Sequence, residues 1–325
     1  MPITLVNFTK SFIAFFIFFI GSILLTLLGI FILFFGFKSK KSKLLFHQFI
    51  SNTFKLFSKI IPQVSCKIIN EIDEKFETPS IIISNHQSHL DLLYLLMLSP
   101  KILALTNEKV WKSPFYGWIL RFADYIPISN GIENNVDKIS KFVNDGYSIL
   151  IFPEGTRSED CSILRFHQGA FYLAEKLKLD ILPIIVHGIG HILPKTEFML
   201  RKGSVTIKIM DRIRPNNVEF RQFDQVYKIA NTVRKHYEIE YQKMVEKLET
   251  PEYFQDLVFH NYVYKGVEIE LKARKNLKKI KKLNTLLYSL PEKSKVLLRN
   301  CGQGELSLIS ALSRKNIIFY ASDDY

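Results

Sequence analysis

Hydrophobic residues follow two alternating patterns from about residue 43 onward: short β-branched runs, and longer stretches in which apolar positions recur every three or four residues. The short runs predict strands and the longer stretches predict helices. The predicted strands are residues 64–69, 80–84, 102–106, 125–128, 148–152, 181–186 and 205–210. The predicted helices are residues 43–61, 89–99, 112–122, 134–144, 165–178 and 221–249. This alternation predicts an α/β domain with a largely parallel sheet flanked by helices, in which functional residues gather at the carboxyl ends of strands.

The amino-terminal segment is apolar over a greater length than a core helix requires. Residues 11–37 carry no formal charge, and a helix of this length extends about 40 Å, against a hydrocarbon core of about 30 Å. A secretory signal would have a shorter apolar region and a small-residue cleavage site. We therefore predict a membrane helix and treat a buried core helix as the weaker alternative. A re-entrant hairpin bent near Gly21 or Gly29 stays open.

A cluster of lysines follows this segment and indicates its orientation. The lysines after it are Lys38, Lys40, Lys41 and Lys43, whereas only Lys10 and the amino terminus precede it. The positive-inside bias then places the rest of the chain in the cytoplasm. We predict that residues 1–43 form a membrane anchor with a basic flank at the cell inner membrane.

The composition and net charge limit the classes of partner that the chain is suited to bind. The 325 residues are 47% hydrophobic and 23% charged with a net charge of +13, which is enough for one large domain plus an appendage and favours anionic partners. No zinc knuckle, aromatic ribonucleoprotein motif or helix-turn-helix signature supports nucleic-acid binding. Membrane lipids, and an acidic carrier protein, explain the charge better. The three cysteines are far apart and predict neither a disulfide framework nor a zinc cluster.

Residues 85–91, which read NHQSHLD, follow the predicted strand at 80–84 directly. His86 lies just before the helix expected to begin near Ser88 or His89, and Asp91 lies in its first turn. A carboxylate bound to one ring nitrogen would fix the tautomer, so that the other nitrogen can take a proton from a hydroxyl. Two alternatives stay open.

One alternative is structural: Asn85 or Ser88 would cap the helix, and Asp91 would complement its dipole. The other is metal ligation by His86, His89 and Asp91.

A second stretch, residues 152–158, reads FPEGTRS after the predicted strand at 148–152. Its glycine permits a close backbone approach, and Arg157 can bind a phosphate or carboxylate through its planar fork. Glu154 would orient a hydroxyl or hold Arg157; the alternative is a turn with an ion pair. A third stretch, residues 180–188, is a strand interrupted by Pro183.

In this order and spacing, the three stretches resemble the glycerolipid acyltransferase family, which includes 1-acylglycerol-3-phosphate acyltransferases. The resemblance covers roughly residues 40–245 and implies an acyltransferase domain at 44–250 with that family's sheet. It implies a role in phospholipid biosynthesis, acyl-coenzyme A or acyl carrier protein as co-substrate, and no bound cofactor or metal. His86 would be the base and Asp91 its orienter, with the amides that open the helix after His86 as candidate oxyanion donors. The substrate contacts implied are Asn85, Glu154, Gly155, Thr156, Arg157, Ser158 and His167.

Two positions depart from the family pattern. The second motif normally ends with an arginine, but residues 125–131 contain no cation, and His167 stands where a lysine is common. Each lost charge-assisted contact would weaken binding of a dianionic phosphate by about 1.5–3 kcal/mol. We therefore hypothesise an acceptor other than lysophosphatidic acid, such as a glycolipid, an aminolipid or a polyene-type lipid. A non-catalytic lipid-binding protein and a hydrolase remain as alternatives.

The carboxyl-terminal segment, residues 272–325, predicts a basic helix, a strand, a glycine-containing loop, a helix and a second strand. Residues 298–305 look like a degraded glycine loop of methyltransferases that use S-adenosylmethionine. Two glycines match, but Leu298 and Asn300 replace the acidic residue and the first glycine. We predict that residues 251–325 are a helical linker and a truncated Rossmann-like methyltransferase remnant, a short αβαβ appendage that does not bind S-adenosylmethionine.

Overall fold

The computed structural model describes most of the chain in two compact units. The described residues are 3–34, 39–61, 63–113, 117–128, 131–197, 199–214, 226–260, 262, 266–314 and 316–322. The larger unit consists of Phe12–Phe198 and Ser204–Ile239, and the smaller of Met1–Ser11, Met199–Gly203 and Glu240–Tyr325. The boundaries placed at residues 43 and 250 from the sequence stay predictions.

The larger unit is built on a mixed sheet. Within the described residues its strands are β1 (Val64–Ile69), β2 (Ser80–Ser84), β3 (Ile102–Thr106), β4 (Ile126–Pro127), β5 (Ser148–Ile151), β6 (Asp180–His187) and β7 (Gly203–Ile209). Their order across the sheet is β1-β7-β6-β2-β5-β3-β4. Strand β2 is parallel to β5 and β6, β3 is parallel to β4 and β5, and β7 is antiparallel to β6. The predicted α/β fold with a largely parallel sheet is confirmed.

Helices accompany this sheet at positions close to those predicted. They are α2 (Lys40–Ile60), α3 (Asp91–Leu96), α4 (Glu108–Trp111), α5 (Gly117–Phe122), α6 (Val136–Asn144), α7 (Gly169–Leu177), α8 (Ile189–Ile192) and α9 (Val226–Leu248). The helix predicted at 112–122 is wrong in its first half, because α4 ends at Trp111 and α5 begins at Gly117; residues 114–116 lie outside the described residues. Helix α3 begins at Asp91 rather than at Ser88 or His89.

The central strands are buried on both faces, which explains their unbroken apolar runs. Every residue of β2 is buried, and Ile81, Ile82 and Ile83 are fully inaccessible. Ile83 is aligned with Ile151 of β5, and Ser84 with Ile184 of β6. The carboxyl ends of these strands therefore lie side by side, and the segments that follow them share one edge of the sheet.

Pro183 interrupts the pairing of β6 with β7. The ladder runs from Ile184 opposite Ile209 to His187 opposite Thr206, and an isolated bridge joins Ile181 to Ile213 beyond the proline. A proline has no N–H to donate to a ladder, so the regular pairing ends where the sequence placed the interruption.

Helix α1 (Ile3–Phe34) is the apolar amino-terminal segment. It contains a span, Phe8–Ile32, with a mean hydropathy of 2.7 that is long enough to cross a bilayer. The helix is continuous through Gly21 and Gly29, so a re-entrant bend at either glycine is contradicted. Large side chains such as Phe12, Leu24 and Phe31 are exposed along it. A large exposed apolar face of this kind is typical of a surface that contacts a membrane or another protein.

The larger unit packs directly on α1 from residue 12 onward. The rings of Phe18 and Phe57 lie 5.6 Å apart, which joins α1 to α2. A Cβ added at Gly29 would lie 2.3 Å from the ring of Phe122 in α5. Helix α1 is therefore in close contact with α2 and α5.

The smaller unit contains helices and a two-stranded parallel sheet. Its elements are α10 (Pro251–His260), α11 (Val267–Leu277), α12 (Ile280–Ser289), β8 (Lys295–Arg299), α13 (Glu305–Ser313) and β9 (Ile318–Ser322). A hydrophobic core joins α10, α11 and α13 through residues that include Phe254, Ala273 and Ile309. The predicted αβαβ appendage is confirmed in its order of elements.

Candidate functional site

The two polar stretches singled out in the sequence meet at the carboxyl edge of the sheet. The amide of Ser158 donates a hydrogen bond to the carbonyl oxygen of His86 at 2.8 Å. The amide of His86 donates to Oε1 of Glu154 at 3.2 Å. The segments after β2 and β5 thus hold each other in place.

His86 and Asp91 form a hydrogen-bonded pair. Nδ1 of His86 lies 2.8 Å from Oδ2 of Asp91, a carboxylate with no solvent exposure. Because a carboxylate only accepts, Nδ1 carries the hydrogen and Nε2 keeps its lone pair. The imidazole is 23% exposed. A base with a fixed tautomer therefore stands at a partly open position.

Asp91 also holds the turn that precedes α3. Its Oδ2 accepts hydrogen bonds from the amides of Gln87 at 2.6 Å and Ser88 at 2.8 Å. The structural alternative and the dyad are therefore one arrangement, in which the carboxylate of Asp91 binds both the imidazole of His86 and the amides of Gln87 and Ser88. These two amides are already bonded, so the expectation that the amides after His86 bind an oxyanion is contradicted for them.

Phe152 supports the imidazole of His86 from one side. The two rings stack with centroids 4.2 Å apart and planes 19° apart. The sequence motif contained Phe152, but its spacing gave no sign of this contact. Asp91 and Phe152 together fix both the direction and the plane of the ring.

Asn85 joins neighbouring strands and does not face solvent. Its Nδ2 donates to the carbonyl oxygen of Val186 at 2.8 Å, and its Oδ1 accepts from the amide of Val186 at 2.9 Å. The hydroxyl of Tyr237 accepts from the amide of Asn85 at 2.9 Å. This placement favours a positioning role for Asn85 over the substrate contact that the resemblance implies. No local sequence pattern points to Tyr237, which lies far along the chain in α9.

Glu154 is buried, and both of its oxygens accept backbone hydrogen bonds. Oε1 binds the amide of His86, and Oε2 binds the amide of Leu164 at 3.3 Å. Burial raises the pKa of Glu154 to about 8, although these hydrogen bonds oppose the shift. The side chain is therefore mostly protonated at neutral pH and can take part in hydrogen bonding without a full charge.

The residues after Glu154 line the more open part of the site. Gly155 has a φ of +67°, and a Cβ there would lie 3.2 Å from the ring of His167. Both the backbone conformation and the close approach require glycine. Thr156 and His167 are exposed, whereas Arg157 is half-buried. The resemblance assigned all four to substrate binding, and they do lie in one loop region.

Two further residues of the motifs, His89 and Ser158, differ in their surroundings. Burial, followed by the charge of Arg157, lowers the pKa of His89. Ser158 is buried and its hydroxyl donates to Oδ1 of Asp160 at 2.9 Å. In the part of the chain that the structure describes, no group of three or more His, Cys, Asp or Glu residues is arranged to hold a metal ion.

Residues 63–187 match the family model Acyltransferase. The curated relatives of the chain include proteins named 1-acyl-sn-glycerol-3-phosphate acyltransferase. The chain is 31% identical over 196 residues to 1-acyl-sn-glycerol-3-phosphate acyltransferase LPAT1, chloroplastic, of Arabidopsis thaliana, covering 58% of this chain and 54% of that protein. It is 27% identical over 184 residues to the 1-acyl-sn-glycerol-3-phosphate acyltransferase of Saccharomyces cerevisiae, covering 54% and 59%.

A solved structure shares the fold. The 1-acyl-sn-glycerophosphate acyltransferase PlsC from Thermotoga maritima superposes with a TM-score of 0.62 at 20% identity, covering 75% of this chain and 98% of that one. The chain spans about half the length of the curated relatives it matches. The expected family resemblance is confirmed.

Proposed function

We propose that this protein is a membrane-bound O-acyltransferase that moves a fatty acyl group from an acyl thioester to a hydroxyl of a lysophospholipid or related lipid. The observation that carries the proposal is the hydrogen bond between Nδ1 of His86 and the buried carboxylate of Asp91. The names of the relatives, which are acyltransferases, support the same reaction class.

The chemistry follows from the free nitrogen of His86. Nε2 takes the proton of the acceptor hydroxyl. At the same time the hydroxyl oxygen bonds to the carbonyl carbon of the thioester, and the carbonyl oxygen becomes an oxyanion. When this intermediate collapses, the carbon–sulfur bond breaks and the leaving thiolate takes the proton from the imidazolium. The Asp91 carboxylate stabilises the imidazolium between the two proton transfers.

The acceptor is bound by the loop after β5 in this proposal. Arg157 supplies a cation, and the protonated Glu154 supplies a neutral hydrogen-bonding group. The names of the relatives favour 1-acylglycerol 3-phosphate, whereas the missing arginine and His167 favour an acceptor with less negative charge. The donor is acyl-coenzyme A or acyl carrier protein.

Membrane lipids are the proposed partners of the amino-terminal helices. Helix α2 also carries an exposed apolar stripe, formed by Leu45, Phe49, Leu56 and Ile60. Their spacing of four, seven and four residues places them on one side of the helix. The basic flank supports a domain on the cytoplasmic side of the inner membrane.

The test is acyl transfer from labelled acyl-coenzyme A and acyl carrier protein into a panel of lysolipids with and without a phosphate. Membranes contain the wild type, His86→Ala, or the control His236→Ala, which removes an exposed histidine of α9. We expect transfer with the wild type and the control, and none with His86→Ala. Equal signals from all three would favour a non-catalytic lipid-binding protein, and free fatty acid as the sole product would favour a hydrolase.

A further inference from the structure

A cavity of about 520 Å³ lies at the amino ends of the sheet strands, whereas His86 lies at their carboxyl ends. Its lining includes Lys101, which immediately precedes β3, and Tyr147, which immediately precedes β5. Glu154 follows the carboxyl end of the same strand β5. The cavity is therefore separated from the candidate active site by the length of that strand.

Positive charge dominates the lining. Six lysines and two aspartates contribute to it. Lys40 pairs with Asp145 at 2.5 Å, and Lys43 pairs with Asp124. Four ammonium groups remain without an ion pair among the described residues: Lys41, Lys101, Lys138 and Lys141.

The buried His47 does not add to this charge. Its burial lowers its pKa to about 4, so the ring is neutral at physiological pH. The lining therefore carries four net positive charges. Four like charges facing one concavity repel one another, and a bound anion would offset this repulsion.

The shape and the apolar part of the lining indicate the kind of anion. Lysines act as compact donors to phosphate oxygens. Leu44, Phe142 and Tyr147 add apolar surface to the same walls. This combination fits an amphiphile with a phosphate group better than a fully hydrated ion.

The position of the cavity along the chain indicates a membrane lipid. Helix α1 ends at Phe34, and α2 begins at Lys40. The six Cα–Cα steps from Phe34 to Lys40 extend at most about 20 Å, so the lysines that open α2 lie close to the end of the apolar helix. Phospholipid phosphates occupy this zone when α1 is embedded in a bilayer.

We propose that this cavity binds the phosphate group of an anionic membrane phospholipid, at a site separate from the acyltransferase centre. The site uses the membrane attachment proposed above but not the acyl transfer. It would hold the lipid next to α2 and so fix the amino-terminal part of the domain at the headgroup layer.

The experiment measures lipid binding by the full-length protein in detergent micelles, using native mass spectrometry. The probes are phosphatidylglycerol, phosphatidylcholine and inorganic phosphate. The cavity variant is Lys101→Ala/Lys141→Ala, and the control is Lys67→Ala/Lys176→Ala, which removes two exposed lysines outside the lining. The His86→Ala protein is included because it separates this site from the proposed reaction.

We expect saturable phosphatidylglycerol binding by the wild type, the control and His86→Ala, with weaker binding of phosphatidylcholine. The cavity variant should bind phosphatidylglycerol at least about tenfold more weakly, because two charge-assisted contacts are lost. Equal loss in the control would assign the binding to general surface charge and overturn the proposal. Inorganic phosphate that binds as tightly as the lipid would overturn the lipid assignment.

Discussion

Asp91 combines two roles that the sequence could only offer as alternatives. The spacing of His86 and Asp91 made a dyad possible, and the resemblance to the glycerolipid acyltransferase family favoured it. The spacing could not reveal that Oδ2 of Asp91 also binds the amides of Gln87 and Ser88, because these contacts depend on how the turn before α3 closes. The catalytic proposal and the local fold thus depend on one oxygen atom.

Replacing Asp91 by two different residues should separate these roles. Asp91→Asn keeps an oxygen for the backbone amides but removes the charge that stabilises the imidazolium. We expect acyl transfer to fall at least about a hundredfold with little change in melting temperature. Asp91→Ala should lose transfer and also about 1–3 kcal/mol of stability for each buried amide left unpaired. Transfer rates and thermal melting check this, and full activity of Asp91→Asn would show that the charge is not needed.

The pKa of Glu154 gives the stability of the protein a definite pH dependence. Between the ordinary value of 4.5 and the folded value of about 8, the folded chain keeps a proton that the unfolded chain has released. The free energy of unfolding should therefore fall as pH rises through this window, by at most about 1.4 kcal/mol per pH unit. Denaturant midpoints at pH 5 to 8 should show this slope in the wild type and a smaller one in Glu154→Gln. An identical slope in both proteins would exclude Glu154 as its source.

Local patterns predicted the strands well because their apolar runs are bounded by polar or turn residues. Strands β1, β2 and β3 have the predicted bounds. Contacts between distant elements were not predictable in this way. The hydroxyl of Tyr237 meets Asn85 across 152 positions of the chain, and no local pattern connects them.

The Tyr237 hydroxyl should contribute measurably to stability at the junction of β2, β6 and α9. It accepts from the amide of Asn85 and donates to Oδ1 of Asn85 at 2.7 Å or to the carbonyl oxygen of Ile184 at 2.8 Å. Tyr237→Phe should cost about 1–3 kcal/mol, because a buried amide loses its partner. Denaturant unfolding is the measurement, with Tyr172→Phe on α7 as the control. Equal midpoints for both variants would contradict this role.

The contact of α1 with α5 can be tested with a matched pair of glycines. A Cβ at Gly29 would overlap the ring of Phe122, whereas one at Gly21 would lie 3.5 Å from Thr53, an ordinary contact. Gly29→Ala should therefore destabilise the protein by about 1–3 kcal/mol, and Gly21→Ala should not. Thermal melting in detergent micelles compares them. Equal melting temperatures would show that α1 does not pack on α5 in this way.

At the scale of the whole molecule, the sequence predicts a membrane segment, an acyltransferase domain and an appendage. These predictions rest on the length of the apolar segment and on the order of the motifs, because both can be read directly along the sequence. The hydrogen bonds inside the appendage could not be predicted from the sequence. Tyr262 donates to the carbonyl oxygen of Gln303 at 2.7 Å, and Asn276 donates to the buried Glu305 at 2.5 Å. The glycine loop is thus stabilised by side chains of its own unit.

We expect no binding of S-adenosylmethionine by the full-length protein. Leu298 replaces the acidic residue of the methyltransferase loop, and internal hydrogen bonds already engage Gln303 and Glu305. Isothermal titration of the protein in micelles should give no saturable heat. A saturable signal would show that the appendage is a working cofactor site.

The packing of α1 also determines how the domain can move. Contacts at Phe18 and Gly29 fasten the helix to the domain over about 16 Å of its axis. A domain attached in this way cannot rotate freely as it would on a flexible linker. In the membrane-bound state that we propose, the domain would therefore present one constant face to the bilayer, and lipids would reach it by diffusion in two dimensions rather than three.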